Sequence, residues 1–124
     1  VHFHGTLQRD AVGAFLCGCD LFALASDYET FGVAMVEAMM TGLPVLSTRN
    51  GGAQSIIMDG RYGVLTDIDQ QSFTAGLADI LCAVRRGRFD CQDISGYAKS
   101  TFSLEAVGRA TSLLYMRVLA GSQR

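Results

Sequence analysis

The sequence predicts an α/β fold, an open parallel sheet with helices on both faces. Apolar runs of strand length alternate with segments whose apolar residues recur at helical spacing, and the connections between them are short. Of the 124 residues, 49% are apolar, 18% are charged and one is proline. This composition excludes a disordered chain and fits a single domain with a hydrophobic core.

The first three elements are predicted between residues 1 and 25. Val1 and Phe3 alternate with histidines, which predicts a short half-buried strand over residues 1–5. Helical spacing of apolar residues predicts a helix over residues 10–17. Residues 20–25 form a continuous apolar run, typical of a parallel strand that is buried on both faces.

The middle of the chain repeats the same alternation. A helix is predicted over residues 32–40, with Gly42 just after its end, and a buried strand over residues 44–47. A short helix over residues 53–58 then precedes a fourth strand over residues 63–66. The helix over 32–40 is expected to bury one side, made of Val33, Val36, Met39 and Met40.

Two further helices are predicted after the fourth strand, each with a capping residue. Asp69 is the expected N-cap of the first and Ser103 of the second, and residues 85–93 form a polar connection between them. The expected apolar stripes are Phe73, Leu77, Ile80, Leu81 and Val84 in the first helix, and Leu104, Val107, Leu114 and Val118 in the second.

Charge, cysteine content and motifs exclude several classes of function. The formal net charge is -2, which gives no electrostatic support for nucleic-acid binding. The four cysteines lack zinc-ligand spacing, so reduced thiols in a cytoplasmic protein are expected. No apolar stretch approaches the ~20 residues of a membrane helix. The glycine-rich dinucleotide motif and the Walker phosphate loop are both absent.

The loop before the predicted helix at 32–40 is the strongest candidate for a ligand site. In sheets of this kind ligands bind at the carboxyl ends of strands, here the loops that follow Gly5, Ser26, Ser47 and Thr66. The amides of the second loop, at the positive end of the helix dipole, are expected to bind an anion, ideally a diphosphate. These amides belong to Thr30, Phe31, Gly32 and Val33.

Two of the three glutamates in the chain bracket this predicted anion site. Glu37 follows the helix start closely enough for its carboxylate to reach a ribose, and Glu29 is expected to face sugar hydroxyls at the other end of the ligand. The alternative for Glu37 is a surface residue that complements the helix dipole. Its apolar sequence neighbours favour a buried carboxylate with a partner.

Two other motifs have competing interpretations. Gly51 and Gly52 are either a flexible turn or a backbone that brings amides near the sugar. Asp67 and Asp69 have the D-x-D spacing of some metal sites, but the expected capping role of Asp69 favours a structural interpretation.

Residues 26–39, followed by 42–45 and the Gly51–Gly52 pair, resemble the donor-site signature of retaining GT-B glycosyltransferases, the group 1 or family-four transferases. The E-x7-E pair of Glu29 and Glu37 is the centre of the likeness. The resemblance extends to residues 1–5, 59–65 and 102–119.

The resemblance implies that residues 1–124 are a C-terminal, Rossmann-like donor-binding domain for a nucleotide-diphosphate sugar. Glu29 would be the catalytic carboxylate and contact the donor sugar, Glu37 the ribose, and Gly5 and the glycine pair would line the site. Transfer would retain anomeric configuration without a metal. A glycan or lipid acceptor, and any membrane contact, would belong to an N-terminal domain absent from this chain, so the piece alone is expected to be inactive.

Two alternatives remain open at this point. One is a nucleotide-sugar epimerase of the same fold, which the E-x7-E spacing disfavours. The other is a sugar-nucleotide-binding module without catalysis. Because the chain opens on Val1 in strand-like sequence, the natural protein is expected to begin earlier.

Overall fold

The structure, a computed structural model, describes residues 1–121 as a three-stranded parallel sheet flanked by helices. The elements in chain order are α1 (Arg9–Cys17), β1 (Phe22–Leu24), α2 (Val33–Met40), β2 (Val45–Thr48), α3 (Gly52–Ile56), β3 (Gly63–Thr66), α4 (Gln70–Arg85), α5 (Cys91–Phe102) and α6 (Leu104–Gly121). Each strand is followed by a helix, as predicted, and the spatial order of the strands is β1-β2-β3.

Helices cover both faces of the sheet, which confirms the predicted fold class. On one face, Leu46 of β2 and Thr66 of β3 lie against Gly76 of α4, so closely that a Cβ atom at position 76 would be 3.3 Å from Leu46 Cδ1. On the other face, Val45 packs in a core with Met35 of α2. Met39, Ala53, Ile56, Ile94 and Ala98 complete the fully buried part of this second core.

The predicted strand over residues 1–5 is wrong. Residues 1–8 have no regular structure, and the side chains of Val1 and Phe3 are exposed. A strand requires a neighbour for its backbone hydrogen bonds, and within residues 1–121 no strand pairs with this segment.

The run over residues 20–25 does form β1, but the strand is not buried on both faces as predicted. Ala23 is exposed, and Phe22 and Leu24 are half-buried. In the described chain β1 is an edge strand, whereas α4 packs against the other two strands, β2 and β3.

The stripe of α4 is less buried than predicted. Ile80 is fully buried, but Leu81 is 41% exposed and the other three members are half-buried. The side chain of Asp69 accepts a hydrogen bond of 2.8 Å from the Ser72 amide, which confirms the predicted N-cap.

Helix α5 was not predicted, and it occupies part of the segment interpreted as a polar connection. Asp90 caps it by accepting hydrogen bonds from the amides of Gln92 and Asp93, at 2.8 and 3.2 Å. Ile94 and Ala98 are its buried residues.

Helix α6 begins as predicted after Ser103, whose hydroxyl accepts a 3.1 Å hydrogen bond from the Ala106 amide. The predicted apolar face of this helix, Leu104, Val107, Leu114 and Val118, is at least half exposed at every position. In the part of the chain that the structure describes, no helix combines the length and hydropathy needed to cross a bilayer.

Candidate functional site

The loop between β1 and α2, at the carboxyl edge of the sheet, holds the Glu29 side chain in place. The Thr48 hydroxyl at the end of β2 donates a short hydrogen bond to the Ser26 carbonyl. The Ser26 hydroxyl donates in turn to the Glu29 carboxylate, at 3.0 Å. Glu29 is therefore half-buried and oriented by its own loop.

Backbone hydrogen bonds join this loop to the one that carries the glycine pair. The Glu29 amide donates to the Asn50 carbonyl and the Gly52 amide donates to the Glu29 carbonyl, both at 2.9 Å. This isolated parallel bridge brings Glu29, Gly51 and Gly52 together at one edge of the sheet.

The glycine pair makes this close approach sterically possible. A Cβ atom on Gly52 would lie 2.7 Å from the Phe31 carbonyl carbon and 2.9 Å from the Phe31 Cα. Gly51 has a φ of +98°, which disfavours any other residue there. Its amide donates to the Gln54 side chain at 3.0 Å, so both glycine amides are bonded within the protein and the pair acts through close packing.

The start of α2 presents a group of backbone donors. Within residues 1–121, no protein acceptor receives a hydrogen bond from the amides of Thr30, Phe31, Gly32 and Val33. The first amide of α2 that donates is that of Met35, to the Gly32 carbonyl at 3.0 Å. Gly32 has a left-handed φ of +97°. These amides form the positive end of the helix, beside the oriented Glu29 carboxylate.

Glu37 lies on the solvent face of α2, so the expectation that its carboxylate is buried is wrong. Its neighbours Val36, Ala38 and Met39 are buried. Successive residues on a helix point about 100° apart, and a single exposed position can therefore separate residues that face the core. Val33, also predicted to face the core, is 62% exposed.

Gly5 belongs to the exposed N-terminal segment. Its φ is +63°, and the space where a Cβ atom would lie is open. Among the described residues, no hydrogen bond connects Gly5 to the β1–α2 loop.

Asn50 was missed by the sequence analysis, although it connects the parts of the site. Its side chain is buried, accepts a 3.0 Å hydrogen bond from the Ala53 amide and donates to the Ser47 hydroxyl at 3.2 Å. An asparagine just before a glycine pair at a helix start is the available signal, because asparagine is a favoured capping residue.

The D-x-D pair has structural partners. Hydrogen bonds from the hydroxyl and the amide of Ser72 lower the pKa of Asp69. Asp67 forms an exposed ion pair with Arg49 at 3.7 Å. Over residues 1–121, no group of three or more His, Cys, Asp or Glu side chains is arranged to hold a metal ion.

A comparison with protein families matches residues 1–84 to the family described as glycosyl transferases group 1. The chain is 49% identical over 57 residues to a probable sucrose-phosphate synthase of Thermosipho melanesiensis, a match covering 46% of this chain and 14% of that protein. It is 34% identical over 67 residues to a GDP-mannose-dependent alpha-mannosyltransferase of Mycolicibacterium smegmatis, covering 54% of this chain and 18% of that protein.

The fold also matches a solved structure. Sucrose-phosphate synthase from Thermosynechococcus elongatus superimposes with a TM-score of 0.82 at 22% identity, over 97% of this chain and 30% of that one. The match supports a GT-B, Rossmann-like fold. The chain thus spans about a third or less of each of these proteins, and none of the three is named an epimerase.

Proposed function

This chain belongs to the group 1 glycosyl transferases, and from that premise we propose that residues 1–124 form the donor-binding domain of a retaining glycosyltransferase. The donor is a nucleotide-diphosphate sugar. The name of the mannosyltransferase relative, which specifies GDP-mannose, supports this class of donor.

One observation carries the proposal: the four amides of residues 30–33 have no acceptor in the described chain and lie beside a carboxylate fixed by Ser26. A diphosphate supplies the acceptors that these amides lack, at the end of the helix where negative charge is favoured. A sugar joined to that diphosphate extends toward Glu29, whose carboxylate accepts hydrogen bonds from hydroxyls.

The chemistry follows from where charge develops. The bond between the anomeric carbon and the diphosphate breaks, and negative charge grows on the leaving phosphate. Amides already aimed at that phosphate stabilise the charge without reorganising. Glu29 is the catalytic carboxylate that positions the sugar. The acceptor hydroxyl attacks from the face that the phosphate leaves and passes its proton to an oxygen of that phosphate, so the configuration is retained.

Glu37 and the glycines complete the proposed donor site. Glu37 is exposed on α2 eight residues after Glu29, and its carboxylate accepts hydrogen bonds from the ribose. Gly51 and Gly52 hold the two loops together at the sugar, and Gly5 closes the site from the N-terminal segment.

The rest of the proposal concerns the whole protein. The amides supply the positive charge that the diphosphate needs, so transfer requires no metal and continues in EDTA. A further, N-terminal domain binds the glycan or lipid acceptor and makes any membrane contact. The protein acts in the cytoplasm, in polysaccharide or lipid-linked glycan assembly, and this domain alone is inactive.

Calorimetry of the chain with UDP, GDP and ADP tests the donor site. We expect one of these nucleotides to bind and Glu37→Ala to weaken its binding about tenfold, the value of one hydrogen bond to a charged group. Glu105→Ala is the matched control, because Glu105 is the third glutamate and pairs with Arg109 on α6. Equal affinity in all three proteins removes Glu37 from the site, and no binding by the wild type refutes the proposal.

A turnover screen of the full-length protein against a panel of nucleotide sugars, with EDTA present, tests the reaction itself. NMR of the product then assigns the anomeric configuration. Nucleotide binding without transfer to any acceptor in the panel would favour the non-catalytic binding module.

A further inference from the structure

A cavity of about 410 Å³ opens at the carboxyl edge of the sheet, on the face covered by α4. Ala25 and Thr48, at the ends of β1 and β2, form its floor. Phe73 and Thr74 of α4 form one wall, and Asp27 lies on the β1–α2 loop. Its volume is within the ~300–1,000 Å³ of small-molecule sites.

This cavity is separate from the proposed donor site. Thr48 pairs in register with Thr66, and paired residues of neighbouring strands point to the same face, the face of α4. Ser47 points to the opposite face, where its hydroxyl accepts from Asn50. None of the described residues assigned to the donor site lines the cavity.

The β1–α2 loop lies between the two sites. Ala25 and Asp27 line the cavity, whereas the Ser26 hydroxyl is bonded to Glu29 on the donor side. The hydrogen bond from Thr48 to the Ser26 carbonyl fixes the loop in this position. A molecule in the cavity is therefore a neighbour of a sugar held at Glu29.

The lining of the cavity selects against anions. Asp27 and Asp69 bring two carboxylates, and no lysine or arginine of the described chain lines the cavity. Asp69 accepts a hydrogen bond of 2.8 Å from the Ser72 amide through one of its carboxylate oxygens. A phosphate or carboxylate would meet like charge here, whereas a hydroxyl group can donate to both carboxylates.

Apolar surface stands beside these polar groups. Phe73 is half-buried and Ile68 is 49% exposed, and both line the cavity together with the side-chain amide of Gln70. A pyranose or cyclitol ring presents C–H groups on its faces and hydroxyls around its rim. This combination matches an apolar wall flanked by carboxylate, amide and hydroxyl groups.

We propose that this cavity binds a polyhydroxylated ring, a sugar or a cyclitol, on the opposite side of the loop from the donor diphosphate. Asp27 is the principal acceptor for its hydroxyls, and Phe73 packs against its face. The claim that this ring lies next to the donor sugar rests on the proposed function. The ring belongs to the end of the acceptor that meets the donor, because the donor's own sugar is assigned to Glu29.

NMR titration of the ¹⁵N-labelled chain with glucose, mannose and myo-inositol tests this site. We expect saturable shifts of the amides of Asp27, Gln70 and Thr74 with at least one of these probes. Asp27→Asn should weaken that binding about tenfold, because it removes a charged acceptor. Asp67→Asn is the matched control, an exposed aspartate that precedes the lining residue Ile68 but does not itself line the cavity, and it should bind as the wild type does.

Separate titrations with UDP, GDP and ADP and with their glucose or mannose conjugates distinguish the outcomes. Shifts with free rings assign the cavity to an acceptor, and shifts only with a nucleotide sugar assign it to the donor's own sugar. If a nucleotide shifts residues 30–33 but neither class of ring shifts the cavity residues, this inference is overturned and the donor site stands. If free rings shift the cavity while no nucleotide binds, the proposed function fails instead.

A second variant distinguishes a lost contact with the ring from a loss of folding. Phe73→Leu keeps an apolar side chain on α4 but removes the flat ring, so it should also weaken binding of the ring while circular dichroism stays that of the wild type. Unchanged affinity in both Asp27→Asn and Phe73→Leu would contradict the assignment of these residues.

Discussion

At the scale of single residues, the missing side chain of Gly52 decides how the two loops of the donor site meet. Gly52→Ala would bring a methyl group within 2.7 Å of the Phe31 carbonyl carbon, a backbone atom that cannot move alone. We expect the free energy of unfolding to fall by about 1–3 kcal/mol, the usual cost of overpacking. Urea denaturation measures this loss, and calorimetry should show weaker nucleotide binding because the loop at Phe31 shifts.

Gly108→Ala is the control for this substitution. Gly108 is in the middle of α6 and a Cβ atom there meets nothing within 4 Å. Alanine should raise stability by about 0.5–1 kcal/mol through helix propensity and leave nucleotide binding unchanged. If Gly52→Ala bound the nucleotide as tightly as Gly108→Ala, the close contact with Phe31 would not shape the site.

Asn50 is expected to matter through hydrogen bonds rather than through apolar burial. Asn50→Ala leaves the buried Ala53 amide and the Ser47 hydroxyl without this partner, which should cost about 1–3 kcal/mol. Gln54→Ala is the matched control, since the Gln54 amide group is exposed and, among the described residues, bonds only the Gly51 amide. The midpoint of thermal unfolding should be well below that of Gln54→Ala for the Asn50→Ala variant. Equal midpoints would show that the side-chain hydrogen bonds of Asn50 do not stabilise the fold.

The residue scale also shows where sequence analysis reaches its limit. The pattern of residues 26–37 singled out the β1–α2 loop, where the structure brings Glu29, the glycine pair and the start of α2 together. Glu37 was assigned to a buried environment because its sequence neighbours are apolar, yet they are on other faces of the helix. The contact of Gly52 with Phe31, and the hydrogen bond from the Glu29 amide to the Asn50 carbonyl, join chain segments about 20 residues apart, which no local pattern records.

At the scale of elements, the cap of α4 gives stability a defined pH dependence. Hydrogen bonds from Ser72 lower the pKa of Asp69 from its ordinary value of 3.8. A carboxyl group with a lowered folded pKa stabilises the fold fully above the unfolded pKa, and the stabilisation is lost as pH falls through the folded pKa. The Asp69→Asn variant keeps a capping side chain but removes this charge.

Thermal midpoints of wild type and Asp69→Asn between pH 7 and pH 2 measure the effect. We expect the wild type to be more stable at pH 7, and the difference to shrink below pH 3.8 and disappear once Asp69 is protonated in the folded state. The same series with Asp67→Asn corrects for a general change in charge. A difference that is constant over the whole pH range would show that the charge of Asp69 does not contribute.

Most elements could be predicted because their signals are local. Helices α1, α2, α3, α4 and α6 and all three strands of the structure coincide with predicted segments. Helix α5 was missed because it buries few residues, Ile94 and the small Ala98, and many of its other residues are polar. The segment 1–5 alternates like a strand, but pairing requires a neighbour that the local pattern cannot provide.

At the scale of the whole molecule, aromatic contacts connect helix α5 to the β1–α2 loop. The Phe102 ring, at the end of α5, is 5.7 Å from the Phe31 ring at an angle of 71°. Phe102 also contacts Tyr97, which stacks on Tyr62 at 4.1 Å. Burial raises the pKa of Tyr97, and its protonated hydroxyl donates to the Ile56 carbonyl at 3.0 Å. The loop at Phe31 is therefore held by Gly52 on one side and by α5 on the other.

This arrangement predicts that Phe102 positions the nucleotide site without touching the ligand. Phe102→Ala removes the edge-to-face contact with Phe31, worth about 0.5–1.5 kcal/mol, and should weaken nucleotide binding about three- to tenfold. Phe102→Tyr keeps the ring and should restore affinity. Phe89→Ala is the control, since Phe89 packs on the same core and, among the described residues, forms no aromatic pair with Phe31, so it should lower stability but leave affinity unchanged. If both alanine variants reduced affinity in proportion to their loss of stability, general destabilisation would explain the effect, and α5 would support the fold without ordering the loop.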